Sequence, residues 1–204
     1  MKVFRLGRFI LYLMLTGLLV VSIAAAVLTM QVASELPSIE TLRDVQLQVP
    51  LRVYTRDRRL LAEFGEKRRN PVRIEDVPQD LVNAFLAAED DRFFEHPGVD
   101  YQGLARAVVE LIRTGEKRQG GSTITMQVAR NFFLSREKTY LRKLTEIFLA
   151  LKIERHLNKQ EILELYLNKI YFGQRAYGIA AAAQIYYGLS IDELSIAQIA
   201  MIAG

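Results

Sequence analysis

Residues 87–98 read Ala-Ala-Glu-Asp-Asp-Arg-Phe-Phe-Glu-His-Pro-Gly, three consecutive carboxylates set between an apolar helical stretch and an aromatic pair that runs into a Pro-Gly stop. Upstream, Leu81, Val82, Phe85, Leu86 and Ala88 recur with helical spacing, and Pro78 after Asp76 suits a first helical turn. Glu89 falls four residues after Phe85 and three after Leu86, so the spacing predicts that it continues the apolar face. A carboxyl on such a face is partly desolvated, which raises its pKa toward the range useful for proton transfer. The plainer alternative is a solvated helix end in which Glu89, Asp90 and Asp91 pair with Arg92.

Toward the N-terminus, Phe9 to Met30 holds 22 residues without a formal charge. At ~1.5 Å per residue that is roughly 33 Å of helix, enough to span a bilayer core. Lys2, Arg5 and Arg8 precede the run and the first acid in the chain is Glu35. The positive-inside bias therefore predicts a cytoplasmic N-terminus at 1–8, a single transmembrane helix at 9–30 in the cell (inner) membrane, and an extracytoplasmic remainder. A cleavable signal peptide is the alternative, since Ser22 to Ala26 is small, but the apolar run is longer than the usual core of about 7–15 residues. Residues 31–50, with Pro37 and Pro50 and no sustained period, read as a linker to a domain at 51–204.

The whole chain has 27 Lys and Arg against 23 Asp and Glu, a net charge of +4. Three of the basic residues lie before the anchor, so the rest is nearly neutral and offers no argument for a nucleic-acid partner. The local pattern differs: Arg113, Lys117, Arg118, Arg130, Arg136, Lys138, Arg142 and Lys143 face only Glu116 and Glu137 in one window, which points to another kind of anion. There is no cysteine, hence no disulfide framework and no thiolate metal site. His96 and His156 lack metal-ligand spacing, so no metal site is expected from the residues.

Arg52 to Phe64 reads as a hairpin with a charged turn at Arg56-Asp57, and from Asp76 onward nearly every segment reads as helix. Asp100 opens a helix that stops at Gly115, and Ser122 or Thr123 caps the next, through Phe133. A long helix follows from about Lys138 to His156. Asn158 and Glu161 form a capping box for Ile162 to Tyr171, ended by Gly173. Gly178 to Tyr187 stops at Gly188, Ser190 with Glu193 starts a turn or helix, and Ser195 to Ala203 is helical. The fold class is mainly α, with a small β-hairpin.

Three further segments carry candidate chemistry. Gly120-Gly121-Ser122-Thr123-Ile124-Thr125-Met126-Gln127 joins a glycine turn to a helix start whose free N–H groups and hydroxyls can hold an anion or sugar hydroxyls, although such a segment is often only a cap. Lys138, Arg142 and Glu146 lie four apart on one helical stripe, with Arg130 one helix earlier; cations on one line suit a pyrophosphate. An ordinary surface ladder is the alternative, worth a few tenths of a kcal/mol per pair. Gln160 to Asn168 is amphipathic and reads as core packing through Ile162, Leu165 and Tyr166.

In order and spacing these segments resemble the peptidoglycan glycosyltransferase domain, glycosyltransferase family 51, of class A penicillin-binding proteins, with wording nearest the 1A type. The family's first motif is similar to Glu89–Gly98, its second to Gly121–Gln127, its Arg-Lys-x-x-Glu motif to Arg142-Lys143-Leu144-Thr145-Glu146, and its fourth to Ile162–Asn168. The resemblance implies a lysozyme-like helical lobe beside a small membrane-proximal lobe. It implies as substrates lipid II and the growing glycan strand, whose lipid tails stay in the membrane, and polymerisation into β-1,4-linked glycan. By resemblance Glu89 takes the acceptor's 4-hydroxyl proton. Arg130, Lys138, Arg142 and Lys143 neutralise the departing pyrophosphate. Glu146 orients those cations or a divalent ion (Mg or Mn), which is not obligatory, and Ser122, Thr123 and Gln127 bind donor sugar or phosphate. Met126 stands where many members carry a second glutamine, so it is given no polar role, and Thr145 stands where some have lysine. Family domains continue past Ala200 to Gly204, and class A proteins add a D,D-transpeptidase domain. The resemblance thus implies a fragment of a longer protein that works with cell-wall elongation or division proteins. A membrane-bound lysozyme-like enzyme that cuts glycan, and an inactive tethered module that binds glycan or a partner, are the competing readings.

Overall fold

Helices dominate the computed structural model, which describes residues 2–34, 36–42, 51–64, 68–115, 121–134 and 139–204. The chain forms two units, one ending at Pro37 and the other running from Ser38 to Gly204.

The first unit is a continuous helix, α1 (Lys2–Ser34). Among the apolar side chains described on it, Leu15, Leu18, Leu19, Val20, Val21 and Ile23 are exposed. The hydroxyls of Thr16, Thr29 and Ser34 donate to carbonyls of their own helix, at Tyr12, Ala26 and Gln31. Among the described residues, no helix is long and apolar enough to cross a membrane.

The second unit begins earlier than the sequence pattern suggests. Ile39 and Leu42, beside a 3-10 turn at Glu40–Leu42, are 3% exposed, so residues 38–42 of the expected linker belong to the folded unit. The hairpin forms from β1 (Leu51–Tyr54) and β2 (Leu60–Phe64), antiparallel with a bulge at Val53/Tyr54. Its turn lacks glycine, and Arg58 takes the left-handed conformation at φ 62° instead.

The helices are α2 (Gln79–Glu89), α3 (Tyr101–Thr114), α4 (Ile124–Phe133), α5 (Tyr140–Glu154), α6 (Lys159–Lys169), α7 (Ile179–Tyr187) and α8 (Ile196–Ala203). Several of their ends follow the expected signals. Gly115 and Gly188 close α3 and α7 in the left-handed conformation, Thr123 caps α4 through its hydroxyl, and Asn158 with Glu161 makes a capping box on α6. Ser195 and Gln198 form a second such box on α8. The long helix is shorter than expected, since Thr139 caps α5 and the chain turns after Glu154. Likewise α6 ends at Lys169, and Ser190 with Glu193 makes a turn only.

Helix α4 lies at the centre. Ile124 through Ala129 are all buried, because α4 packs against α5 on one side and α6 on another. From α6, Ile162, Leu163, Tyr166 and Leu167 enter the core, and Leu165 is only partly buried. Phe85 of α2 meets Tyr166 edge to face at 6.1 Å and Phe172 at 5.9 Å. Met126, 2% exposed beside Val99 and Ala150, is a core residue.

A second β element, invisible to pattern, is a short parallel pair of β3 (Arg68–Arg69) with β4 (Ala176–Tyr177). Asn168 fastens the nearby strand-like segment, accepting from Val72 N–H at 2.8 Å and donating to Val72 C=O at 2.7 Å. Two backbone groups depend on this one buried amide. Asn168→Ala is expected to lower stability by about 2–3 kcal/mol through those unpaired groups, read as a fall in melting temperature of roughly 5–10 °C.

Candidate active site

Glu89 is the last residue of α2, and the chain turns sharply at Asp90, whose φ and ψ are −163° and 76°. The two neighbouring carboxylates therefore face different surroundings. Asp90 is 7% exposed and accepts from His96 Nε2 at 2.9 Å and from the Ile124 backbone N–H at 2.9 Å. His96 Nδ1 in turn accepts from the Gly98 N–H at 3.2 Å, which fixes the proton on Nε2. Thr123 adds a third stitch, donating to Gly98 C=O at 2.6 Å. Gly98 itself, at φ 92°, must be glycine, since a Cβ would stand 2.8 Å from Glu154 Cγ and 3.0 Å from the Ala150 carbonyl oxygen.

Glu89 differs from expectation. It does not sink into the apolar face that its spacing continues; α2 ends there and the side chain is exposed. Its carboxylate accepts from Gln127 Nε2 at 2.8 Å, and Gln127 Oε1 lies 3.4 Å from an Arg130 guanidinium nitrogen, a long contact. The alternative of a solvated triple pairing with Arg92 fails as well. Arg92 pairs with Glu95 at 2.9 Å and Asp100 at 3.1 Å.

The buried carboxylate of the site is Glu146, 1% exposed on α5. Arg142 donates to its Oε1 at 2.9 Å and Lys143 to its Oε2 at 2.8 Å. This is no surface ladder, because the acid is withdrawn from water and each oxygen holds a cation. Lys143 also donates to Ser122 Oγ at 2.7 Å. Ser122 is partly buried at the α4 start, whereas the Thr123 proton is committed to Gly98, so Ser122 carries the freer hydroxyl. Lys138 lies outside the described residues, as does Gly120.

These parts meet at one cavity of about 320 Å³. The end of α2 supplies Glu89, Asp90 and Asp91; α3 and its cap supply Asp100, Gly103, Leu104 and Arg106; Gly121, Ser122 and Thr123 close it at the start of α4. Glu89 and Ser122 thus line one cavity, and Lys143, bonded to Ser122, links it to Glu146 and through that acid to Arg142. Each oxygen of Glu146 accepts from one cation, and among the described residues no group of three or more His, Asp or Glu could hold a metal.

Sequence pattern missed Asp90 and His96 as the clamp, and missed Arg106 and Asp100 as cavity residues. Nothing in a helical period distinguishes Asp90 from its two acidic neighbours; a six-residue separation from His96 across a turn has no regular signature. Two buried polar atoms, Arg142 Nε and the Tyr166 hydroxyl, have no hydrogen-bond partner among the described residues. Burial holds the Tyr166 phenol well above its usual range, the Glu89 charge adds to this, and Arg130 opposes it.

The Transglycosylase family model matches residues 57–204, and the chain belongs to that family. Penicillin-binding protein 1A of Pseudomonas aeruginosa is 54% identical over 98% of this chain and 24% of its own length. The protein of that name from Escherichia coli K12 is 54% identical over 83% of this chain and 20% of its own length. The chain therefore spans about a quarter or less of these curated relatives. A crystal structure of penicillin-binding protein 1A from Haemophilus influenzae aligns with 78% of this chain and 14% of its own, at 37% identity and a TM-score of 0.39.

Burial resists ionisation of Asp100, but the Gly103 backbone amide and the Arg92 guanidinium outweigh it and hold the carboxyl below the ordinary value of 3.8. A depressed folded-state pKa gives stability that is complete above that ordinary value and is lost as pH falls through the folded one. Melting curves between pH 5 and pH 2, on the order of that window, are expected to show a shallower acid decline for Asp100→Asn than for the unsubstituted chain.

Proposed function

We propose that this chain polymerises lipid II into β-1,4-linked glycan strands with release of undecaprenyl diphosphate, as a peptidoglycan glycosyltransferase of bacterial cell-wall synthesis. The observation that carries the reading is the cavity lined both by an exposed carboxylate, Glu89, and by the Ser122 hydroxyl, which accepts from Lys143 of the cation pair on buried Glu146.

The growing strand is the donor and lipid II the acceptor. Glu89 accepts the proton of the acceptor 4-hydroxyl as its oxygen forms the bond to the donor anomeric carbon. The bond from that carbon to the diphosphate oxygen breaks, the diphosphate leaves with the electron pair, and the anomeric centre inverts. Exposure of Glu89 suits it to meet a substrate hydroxyl directly. Lys143, Arg142 and Arg130 receive the developing negative charge, and Lys138 extends that set by its place in the sequence. Glu146 keeps Arg142 and Lys143 in place, and would help orient a Mg or Mn ion were one bound at the diphosphate; no step depends on it. Ser122 and Gln127 bind donor sugar or phosphate, and Thr123 holds the α4 start from which they act.

Residues 9–30 anchor the protein in the inner membrane with the N-terminus cytoplasmic. The lobe is lysozyme-like on the strength of family membership. Relatives named for penicillin binding and about four times as long suit a whole protein that is also a D,D-transpeptidase and works with elongation or division proteins.

Supplied with lipid II in detergent, the chain is expected to form polymer, and Glu89→Gln to lose at least 100-fold in rate. Polymer from Glu89→Gln at the unsubstituted rate would remove Glu89 as the base. Cleavage of preformed glycan without polymer would favour a lytic enzyme, and binding without turnover an inactive module. Lys143→Ala leaves Glu146 paired with Arg142, so its melting temperature is expected to fall by only a few degrees, about 1 kcal/mol, while turnover drops tenfold or more. A large melting shift with turnover intact would make Lys143 a structural tie.

A further inference from the structure

Lys159 and Glu154 form an ion pair that does not line the cavity, yet it bonds to two of the segments that build it. Lys159 opens α6 and donates from Nζ to Glu154 Oε1 at 2.7 Å and to the His96 backbone carbonyl at 2.7 Å. The same ammonium lies 4.4 Å from the centroid of the Phe93 ring, which is 0% exposed. Glu154 closes α5, and its Oε1 also accepts from the Thr125 hydroxyl of α4 at 2.6 Å. The Lys159 and Glu154 side chains are 19% and 10% exposed, so the pair is largely withdrawn from water.

Withdrawing two charges from water is costly, and apolar side chains of similar volume would serve stability as well or better. What such side chains could not supply is the set of bonds. His96 is gripped from two sides: its ring bonds to Asp90 through Nε2, and its carbonyl is held by Lys159. The first turn of α4 is gripped by the same two acids, with Ile124 N–H on Asp90 and the Thr125 hydroxyl on Glu154. The bonds at the imidazole hold the ring, and the bond at the carbonyl holds the peptide behind it.

We propose that Lys159 is a positioning residue for Glu89, acting through His96 and Asp90. Paired with Glu154, it fixes the His96 peptide relative to α4. That in turn fixes the Asp90 carboxylate and the sharp turn at Asp90 that directly follows Glu89. Without this grip the turn shifts, and Glu89 shifts with respect to its Gln127 donor. The proposal rests on the polymerase reading only for its effect on turnover; the placement itself is a property of the folded chain.

The test uses the full chain in detergent, labelled with nitrogen-15. Lys159→Met alone would leave Glu154 charged and unpaired, so it is combined with Glu154→Gln, whose amide oxygen can still accept from Thr125. One reporter is the His96 Nε2–H signal, told from that of the other histidine by His156→Gln. The second is the Gln127 side-chain NH₂, which donates to Glu89 and is assigned by its loss in Gln127→Ala. In the double variant the melting temperature is expected to stay within a few degrees and both signals to shift. With lipid II, kcat is expected to fall about tenfold with KM little changed. Asn168→Ala, which loses stability through other bonds, is expected to leave both signals in place.

Signals unmoved in the double variant overturn the proposal, as do signals that move equally in Asn168→Ala. Turnover unchanged in a chain whose signals move, and which forms polymer, overturns it too. Glu154→Gln alone loosens Lys159 without removing it, so it is expected to shift both signals by less. That variant decides the matter if the double variant does not fold, and unmoved signals in it overturn the proposal. Signals that move in a chain making no polymer leave the Lys159 placement standing and remove the polymerase reading.

Discussion

The buried Asp90 carboxylate is the joint on which the site depends. It ends α2, binds His96 across the following turn and receives the first N–H of α4, so one side chain ties three segments together. The acid also sits at the N-terminal end of α4, where backbone N–H groups are left without helical partners. With Thr123 bonded to Gly98 and Gly98 pressed against α5, the loop after Glu89 has no freedom to drift from the start of α4. Glu89 and Ser122 share a cavity because of that constraint, although 32 positions of sequence separate them.

Behind that joint the two acids of the site differ in exposure. Glu146 is buried and fully engaged by Arg142 and Lys143, an arrangement that fixes the cations rather than freeing the acid for proton transfer. Glu89 is exposed and held by one amide. A group that must exchange a proton with a substrate needs access. A group that orients cations needs to be inaccessible to water, so that its partners are not exchanged for solvent. The cluster therefore keeps a net positive charge directly behind the Ser122 hydroxyl.

Most of the helical frame was legible in the residues. Gly115 and Gly188, Thr123, and the Asn158–Glu161 and Ser195–Gln198 boxes each act within one or two turns, and local signals of that kind survive folding unchanged. The burial of Ile162 and Tyr166 follows equally from period. Glu89 is where period misled, since an apolar face continued to a helix end passes into solvent once the helix stops.

What the sequence determined by itself was most of the helices and the first hairpin, the family and the kinds of chemical group available, because capping, periodicity and motif order are encoded over short spans. Only the tertiary structure decided which of three adjacent carboxylates is exposed and which is a clamp. It also decided that Thr123 is committed while Ser122 is freer, and that Asn168 carries a distant backbone segment. Those outcomes depend on pairs such as Asp90 with Ile124 and Val72 with Asn168, brought together by the packing of α2, α4 and α6. A hydrogen bond between residues so far apart leaves no period in the chain, and it exists only once the core has set the distance.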